Sequence, residues 1–318
     1  MGLPKEYRIV LGLALVFIAI AAVMISWSPD DNIAREIDEE PEITVYFHET
    51  KDKQTMKLEE YLMGVVAGEM FPDWPIEAYA AQAIFSRSFT MAFIAEGGLK
   101  DKYGTDISTN IEKAQAYNSD AVTPEIRQAV EMTKGEVMTY DNRYVKGWFH
   151  AYSGGMTTSA KEGLNYQEPE PPYIKSVDFG DNEYAPDDVT HWQVDYDADE
   201  LQQLLATAGI DVGELKNLEV TGKGKTNRIT EIKISGTEGI KTMHGADFRI
   251  AVDSTRMRST LVSKWEFADG VLHIEGRGYG HGVGLSQWDA YKMAKEGKSP
   301  QEIATSFFNN VEIKKLYN

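Results

Sequence analysis

The sequence predicts an α+β fold of mixed helices and short sheets, forming two lobes around a cleft and preceded by one N-terminal transmembrane helix. Three observations carry this. Stretches with apolar residues at helical spacing are interleaved with stretches where apolar and polar residues alternate. The two kinds follow one another without the strict βαβ rhythm of a parallel sheet. Residues 9–27 carry no charge, and at about 1.5 Å per helical residue such a run crosses a ~30 Å hydrocarbon layer.

The N-terminal run is read as an uncleaved anchor. It is long for the apolar region of a signal peptide, and no A-x-A type cleavage site follows it. Lys5 and Arg8 precede it and Asp30, Asp31 and Glu36 follow, which places residues 1–8 in the cytoplasm and the rest outside, in a single-pass cell-membrane protein. Residues 28–42 are acidic, contain Pro29 and Pro41, and read as an extended linker. The domain proper then spans 43–318.

Ile43, Val45 and Phe47 alternate as a first strand, followed by turn residues 51–54 and a helix over 58–67. Pro72 and Pro75 interrupt the helical pattern, and a long helix over 75–96 stops at Gly97-Gly98. Glu69 therefore falls at a break between two helices. Thr123 caps a helix over 124–134, and strands over 136–140 and 145–150 flank the turn Asp141-Asn142. Residues 165–186, rich in Pro, Glu and Tyr, form a surface excursion. Trp192, Val194 and Tyr196 alternate as a strand, Asp197 and Glu200 resemble a capping box, and two strands lie near Leu218 and Ile232. This middle part, about 187–245, reads as an inserted lobe. A helix over 245–252, strands over 261–267 and 271–275, a Gly-rich loop and helices from Ser286 and Ser299 complete the chain.

Composition narrows the function. A formal charge of −18 argues against a nucleic-acid partner, since phosphate binding needs a clustered basic surface. Any polymeric anion must then be held by short-range contacts in a cleft. The absence of cysteine excludes disulfides, thiolate metal sites and a cysteine nucleophile. His150, His244, His273 and His281 show no zinc-ligand spacing, so neither a metal nor another cofactor is expected.

Four constellations can carry chemistry. Glu69 lies in an apolar sleeve, residues 64–71, that favours the protonated carboxyl a glycosidic oxygen needs from a general acid; a solvated glutamate at a helix end is the plainer alternative. Arg87 shares a helix face with Ala83 and Met91, where Glu69 or a sugar oxygen would satisfy it, as would a purely structural carboxylate or backbone carbonyls. His150-Ala-Tyr-Ser153-Gly154-Gly155 ends a strand in a glycine turn that presents an imidazole and a hydroxyl together, although no nucleophile elbow surrounds Ser153. Glycine occupies every second position from 276 to 284, which in an extended chain strips side chains from one face, to pack a core strand or to admit a polysaccharide.

Tyr61-Leu-Met-Gly-Val-Val-Ala-Gly-Glu69-Met-Phe-Pro, continuing through Glu77, Gln82 and Arg87, resembles the core motif of the stage II sporulation protein D family. The His150-to-Gly155 turn, Phe248-Arg249 with Arg258-Ser259, and Gly278-Tyr-Gly-His-Gly-Val-Gly-Leu-Ser-Gln287 are similar to its later motifs, in order, so the resemblance covers about 43–318. It implies a lytic transglycosylase that cuts peptide-stripped peptidoglycan glycan strands during engulfment in sporulation, leaving 1,6-anhydromuramoyl ends. It implies Glu69 as the catalytic acid/base and Arg87, His150, Ser153, His281 and Gln287 as substrate-binding residues. A sporulation amidase and membrane proteins of an engulfment complex are the implied partners. Some members bind zinc through cysteines and histidines near the His-x-x-Ser turn; without cysteine that site cannot exist here in the same form. The alternative within the same resemblance is a non-catalytic glycan-binding enhancer of an amidase.

Overall fold

The structure, a computed structural model, describes residues 32–111 and 113–318. Its centre is the helix Ile76–Ala95, in which the run from Ala78 to Ser88 is buried without interruption. A helix buried on all sides needs neighbours on all sides. Helices Leu58–Glu69, Pro124–Met132, Gln287–Lys295 and Pro300–Ser306 and the strand Glu136–Tyr140 supply them. Tyr61, Val65, Ile84, Phe85, Phe307 and Phe308 are at the heart of this first core. A second core gathers Trp192, Tyr196, Leu205, Ile232, Phe248 and Ile274. Mixed helices and short sheets make the fold α+β.

The sheets are small. Glu42–Tyr46 pairs antiparallel with Lys53–Lys57 and parallel with Ile107–Ser108. Leu215–Lys223, Ile229–Gly236 and Gly239–Met243 form an antiparallel meander, and Val271–Gly276 lies between Val262–Ala268 and Trp192–Asp197. Glu136–Tyr140 lies between Glu312–Lys315 and Arg143–Tyr144, with Asp141 and Asn142 both at positive φ in the two-residue turn, as a right-handed hairpin twist favours.

Several expectations change. The strand expected over 145–150 is split, because at Gly147 the chain presses on the central helix so closely that a Cβ would lie 2.5 Å from the Phe85 carbonyl oxygen. Only Phe149–His150 continues as strand, parallel to Leu285–Ser286. The capping box expected at Asp197 and Glu200 does not form: Asp197 makes no side-chain cap, and the Glu200 carboxylate is taken by Arg256. The box at Ser299 and Glu302 does form, with both reciprocal hydrogen bonds. The alternating-glycine run is not extended. Gly278, Gly280, Gly282 and Gly284 all have positive φ, so the loop coils tightly instead of presenting a bare strand face. The expected anchor, residues 9–27, lies outside the described residues; among those described, no helix is long and apolar enough to cross a membrane.

Candidate active site

Glu69 is the last residue of the helix Leu58–Glu69. Gly64 and Gly68, one turn apart, leave a seam on that helix where the segment 114–118 lies directly on the backbone. A Cβ on Gly64 would stand 2.2 Å from the Tyr117 ring, and one on Gly68 would stand 2.7 Å from the Tyr117 amide nitrogen. This close approach carries the Ala116 amide to the Glu69 carboxyl, where it donates to Oε1 at 2.6 Å. The next residue, Met70, leaves the helical conformation for extended backbone, which ends the helix at the glutamate.

Around that carboxyl is a cavity of about 370 Å³ lined by Phe89, Gln115, Trp148, His150, Arg249 and His281 among others. Its size lies in the ~300–1,000 Å³ range of small-molecule sites. Burial among these groups, only partly offset by the Ala116 hydrogen bond, raises the Glu69 carboxyl to about 7. Near neutrality a substantial fraction is protonated.

The two imidazoles are 5.3 Å apart between ring centroids. His150 Nδ1 lies 3.2 Å from the Val283 carbonyl oxygen, so it carries the proton and donates. The Val283 amide in turn donates to His281 Nδ1 at 3.0 Å, which leaves the His281 proton on Nε2. Burial, helped by the Arg228 charge, pushes His150 well below the usual imidazole range. Burial and the Arg249 charge push His281 down to about 3. Both rings are neutral at physiological pH and fastened to backbone.

The structure thus brings Glu69, His150 and His281 into one cavity. Arg87, Ser153 and Gln287 do not line it, which corrects the expectation that they contact substrate. Arg87 is fully buried, with Nε and Nη2 donating to the two Glu59 carboxylate oxygens at 3.0 and 2.5 Å and Nη1 donating to the Glu136 carbonyl at 2.8 Å. Its guanidinium is consumed by structure. Ser153 is fully buried too: Oγ donates to Asp289 Oδ2 at 2.5 Å and accepts from the Gly155 amide, so it shapes the glycine turn. Gln287 sits behind the acid, its Nε2 donating to the Glu69 carbonyl at 3.2 Å, and is a positioning residue.

Two arginines matter more than their sequence context suggests. Arg228, buried, donates through Nη2 to the carbonyls of Ser153 and Met156 and so holds the His150-to-Gly155 turn from behind. No periodicity marks it. Arg249, on the helix Gly245–Ala251, contributes a guanidinium to the cavity wall. The Gly64/Gly68 spacing was the readable signal for the seam that seats Glu69.

The profile described as Stage II sporulation protein matches residues 46–140, the span holding Glu69 and Ala116, and a domain of unknown function (DUF8618) matches 167–284. A protein of Brachyspira hyodysenteriae of unassigned function is 31% identical over 81% of this chain and 67% of its own length. Stage II sporulation protein D of Bacillus subtilis is 28% identical over 85% of this chain and 78% of its own. The amidase enhancer of Bacillus subtilis is 23% identical over 78% of this chain and 39% of its own. With the motifs in order along the chain and their glutamate and histidines gathered at one cavity, this chain belongs to the stage II sporulation protein D family.

Proposed function

We propose that this protein is a peptidoglycan lytic transglycosylase acting in sporulation, held at the cell membrane by residues 9–27 with residues 43–318 outside as one catalytic domain. The observation that carries the reading is Glu69: a carboxyl raised to about 7 in a cavity walled by Phe89 and Trp148. A group of this kind is protonated when the substrate arrives and basic enough to recover the proton afterwards. Glu69 would protonate the oxygen joining N-acetylmuramic acid to N-acetylglucosamine as the muramoyl C1–O bond breaks. The carboxylate would then take the proton of the muramoyl C6 hydroxyl as O6 bonds to C1. The glucosamine unit leaves with the first proton, Glu69 is restored, and no water is consumed.

Glu69 is the one carboxyl among the described residues lining the cavity, and an intramolecular attack requires no second one to activate water. The amidase enhancer relative supports the competing reading of a glycan-binding helper for an amidase. Incubating the full chain with denuded and with intact peptidoglycan, followed by mass analysis, separates them. The transglycosylase reading predicts 1,6-anhydromuramoyl ends with no amidase added; release of glycan-free peptides only when an amidase is present, and no anhydro ends, would replace it with the helper role.

A further inference from the structure

Arg249 lines the cavity, and no carboxylate is paired with its charge among the described residues. Its Nε donates to the Arg258 carbonyl at 2.9 Å and Nη2 to the Ser254 carbonyl at 3.1 Å. Both partners are neutral and belong to the loop after its own helix, so they fix the guanidinium rigidly. By contrast, Arg87 meets Glu59, Arg256 meets Glu200 and Arg258 meets Asp188. The rest of the described wall contributes no compensating charge: His150 and His281 are neutral, and Glu69 is largely protonated below about 7. Below about pH 7 the cavity therefore carries about one net positive charge, with part of its wall apolar, and is complementary to a ligand bearing one anion on an otherwise neutral body.

We propose that Arg249 forms a carboxylate subsite that reads the free lactyl carboxylate of a muramoyl residue. The assignment rests on the glycan-cleaving role proposed above and gives the selection of peptide-stripped strands, which the family resemblance implies, to one residue. On a strand that still carries stem peptides this carboxyl is an amide, neutral and bulky, and cannot satisfy a guanidinium. Removal of the peptide exposes the anion, so the same residue that fits the ring would report that the peptide is gone. N-acetylglucosamine lacks the lactyl ether altogether, so the subsite also sets which of the two alternating sugars sits beside Glu69.

Binding of three defined oligosaccharides to the full chain carrying Glu69→Gln, which removes the acid and allows binding without turnover, tests this. The probes are a GlcNAc-MurNAc oligomer with free lactyl carboxylates, the same oligomer with each carboxylate converted to its methylamide, and chitooligosaccharide of equal length. The free acid should bind at least about tenfold more tightly than the methylamide, and more tightly than chitooligosaccharide. Adding Arg249→Gln should bring the acid-to-amide ratio near one, and Arg249→Lys should restore part of it. A general loss of packing would weaken all three probes together and leave the ratio intact. Equal binding of acid and amide in the Glu69→Gln chain, failure to bind any probe, or a ratio unchanged by Arg249→Gln would overturn the proposal. If wild-type protein yields no anhydro ends while the acid preference persists, the cleavage reading fails and the subsite stands; cleavage of acid and methylamide strands at equal rates has the opposite meaning.

Discussion

Replacing Glu69 by glutamine should lower glycan cleavage by about 10²- to 10⁴-fold, the span expected when a positioned general acid is removed. Glutamine keeps an oxygen for the Ala116 amide, which donates to Glu69 at 2.6 Å, so the seam between helix and loop survives. Only the transferable proton is lost. In the parent, kcat/KM should be flat on the acid side of about 7 and fall roughly tenfold per pH unit above it, because the productive form is the protonated carboxyl raised to about 7 by burial. Stability should also fall as pH rises, over the range below that of the activity loss. A carboxyl raised in the folded state contributes stability that is complete below its unfolded pKa and is lost as pH rises to the folded one. Above pH 7 the glutamine variant escapes this penalty and should melt no lower than the parent. Inactivity with undiminished stability, read by product analysis and calorimetry on the same preparation, separates loss of chemistry from loss of fold.

The second large effect concerns Glu59 and Arg87, which have no place at the cavity. Glu59 accepts from Arg87, from the Gly135 amide at 3.0 Å and from the Tyr317 hydroxyl at 2.6 Å. One carboxylate thus ties the central helix to the chain end and to the turn before Glu136–Tyr140. Removing one member leaves the opposite charge buried without its partner, which costs about 3–5 kcal/mol. Glu59→Ala and Arg87→Ala should each lower the denaturation midpoint by that equivalent. Their effects should be strongly non-additive, since the double variant leaves no orphaned charge. Arg87→Ala should spare the acid limb of the pH profile in whatever fraction remains folded. If Arg87→Ala keeps full stability and loses activity, Arg87 belongs to the reaction after all.

The parts legible in the sequence are those written in local chemistry. Thr123 before Pro124, and Ser299 before Pro300 with Glu302, give helix starts because cap and proline act within one turn of chain. Asp141-Asn142 gives its hairpin for the same reason. Strands such as Lys53–Lys57, Gly239–Met243 and Glu312–Lys315 escape notice because they are sheet edges with mostly exposed residues, so no apolar alternation marks them. The 276–284 loop misleads because a spacing of two reads as strand, whereas Gly280 is needed to let the left-handed chain pass 2.6 Å, Cβ to would-be Cβ, from His150.

At the cavity, the gathering of Glu69 with His150 and His281 follows from motif order, but the roles of the neighbours do not. Whether Arg87 meets Glu59 or a ligand depends on which of several carboxylates the folded chain delivers, and Glu59 arrives from one helix away in sequence. Asp197 and Glu200 show the same limit from the other side: a local capping pattern is overridden by Arg256, 56 residues further along the chain, which takes the Glu200 carboxylate. Arg249 is readable only once its charge can be set against two neutral imidazoles and a protonated acid.

The most direct test is a carbon-13 NMR titration of the Glu69 side-chain carboxyl, assigned by comparison with Glu69→Gln. A midpoint close to 7 is what the apolar cavity and its single amide donor require. A midpoint near the ordinary 4.5 would mean that the group is ionised when glycan arrives, with no proton to give.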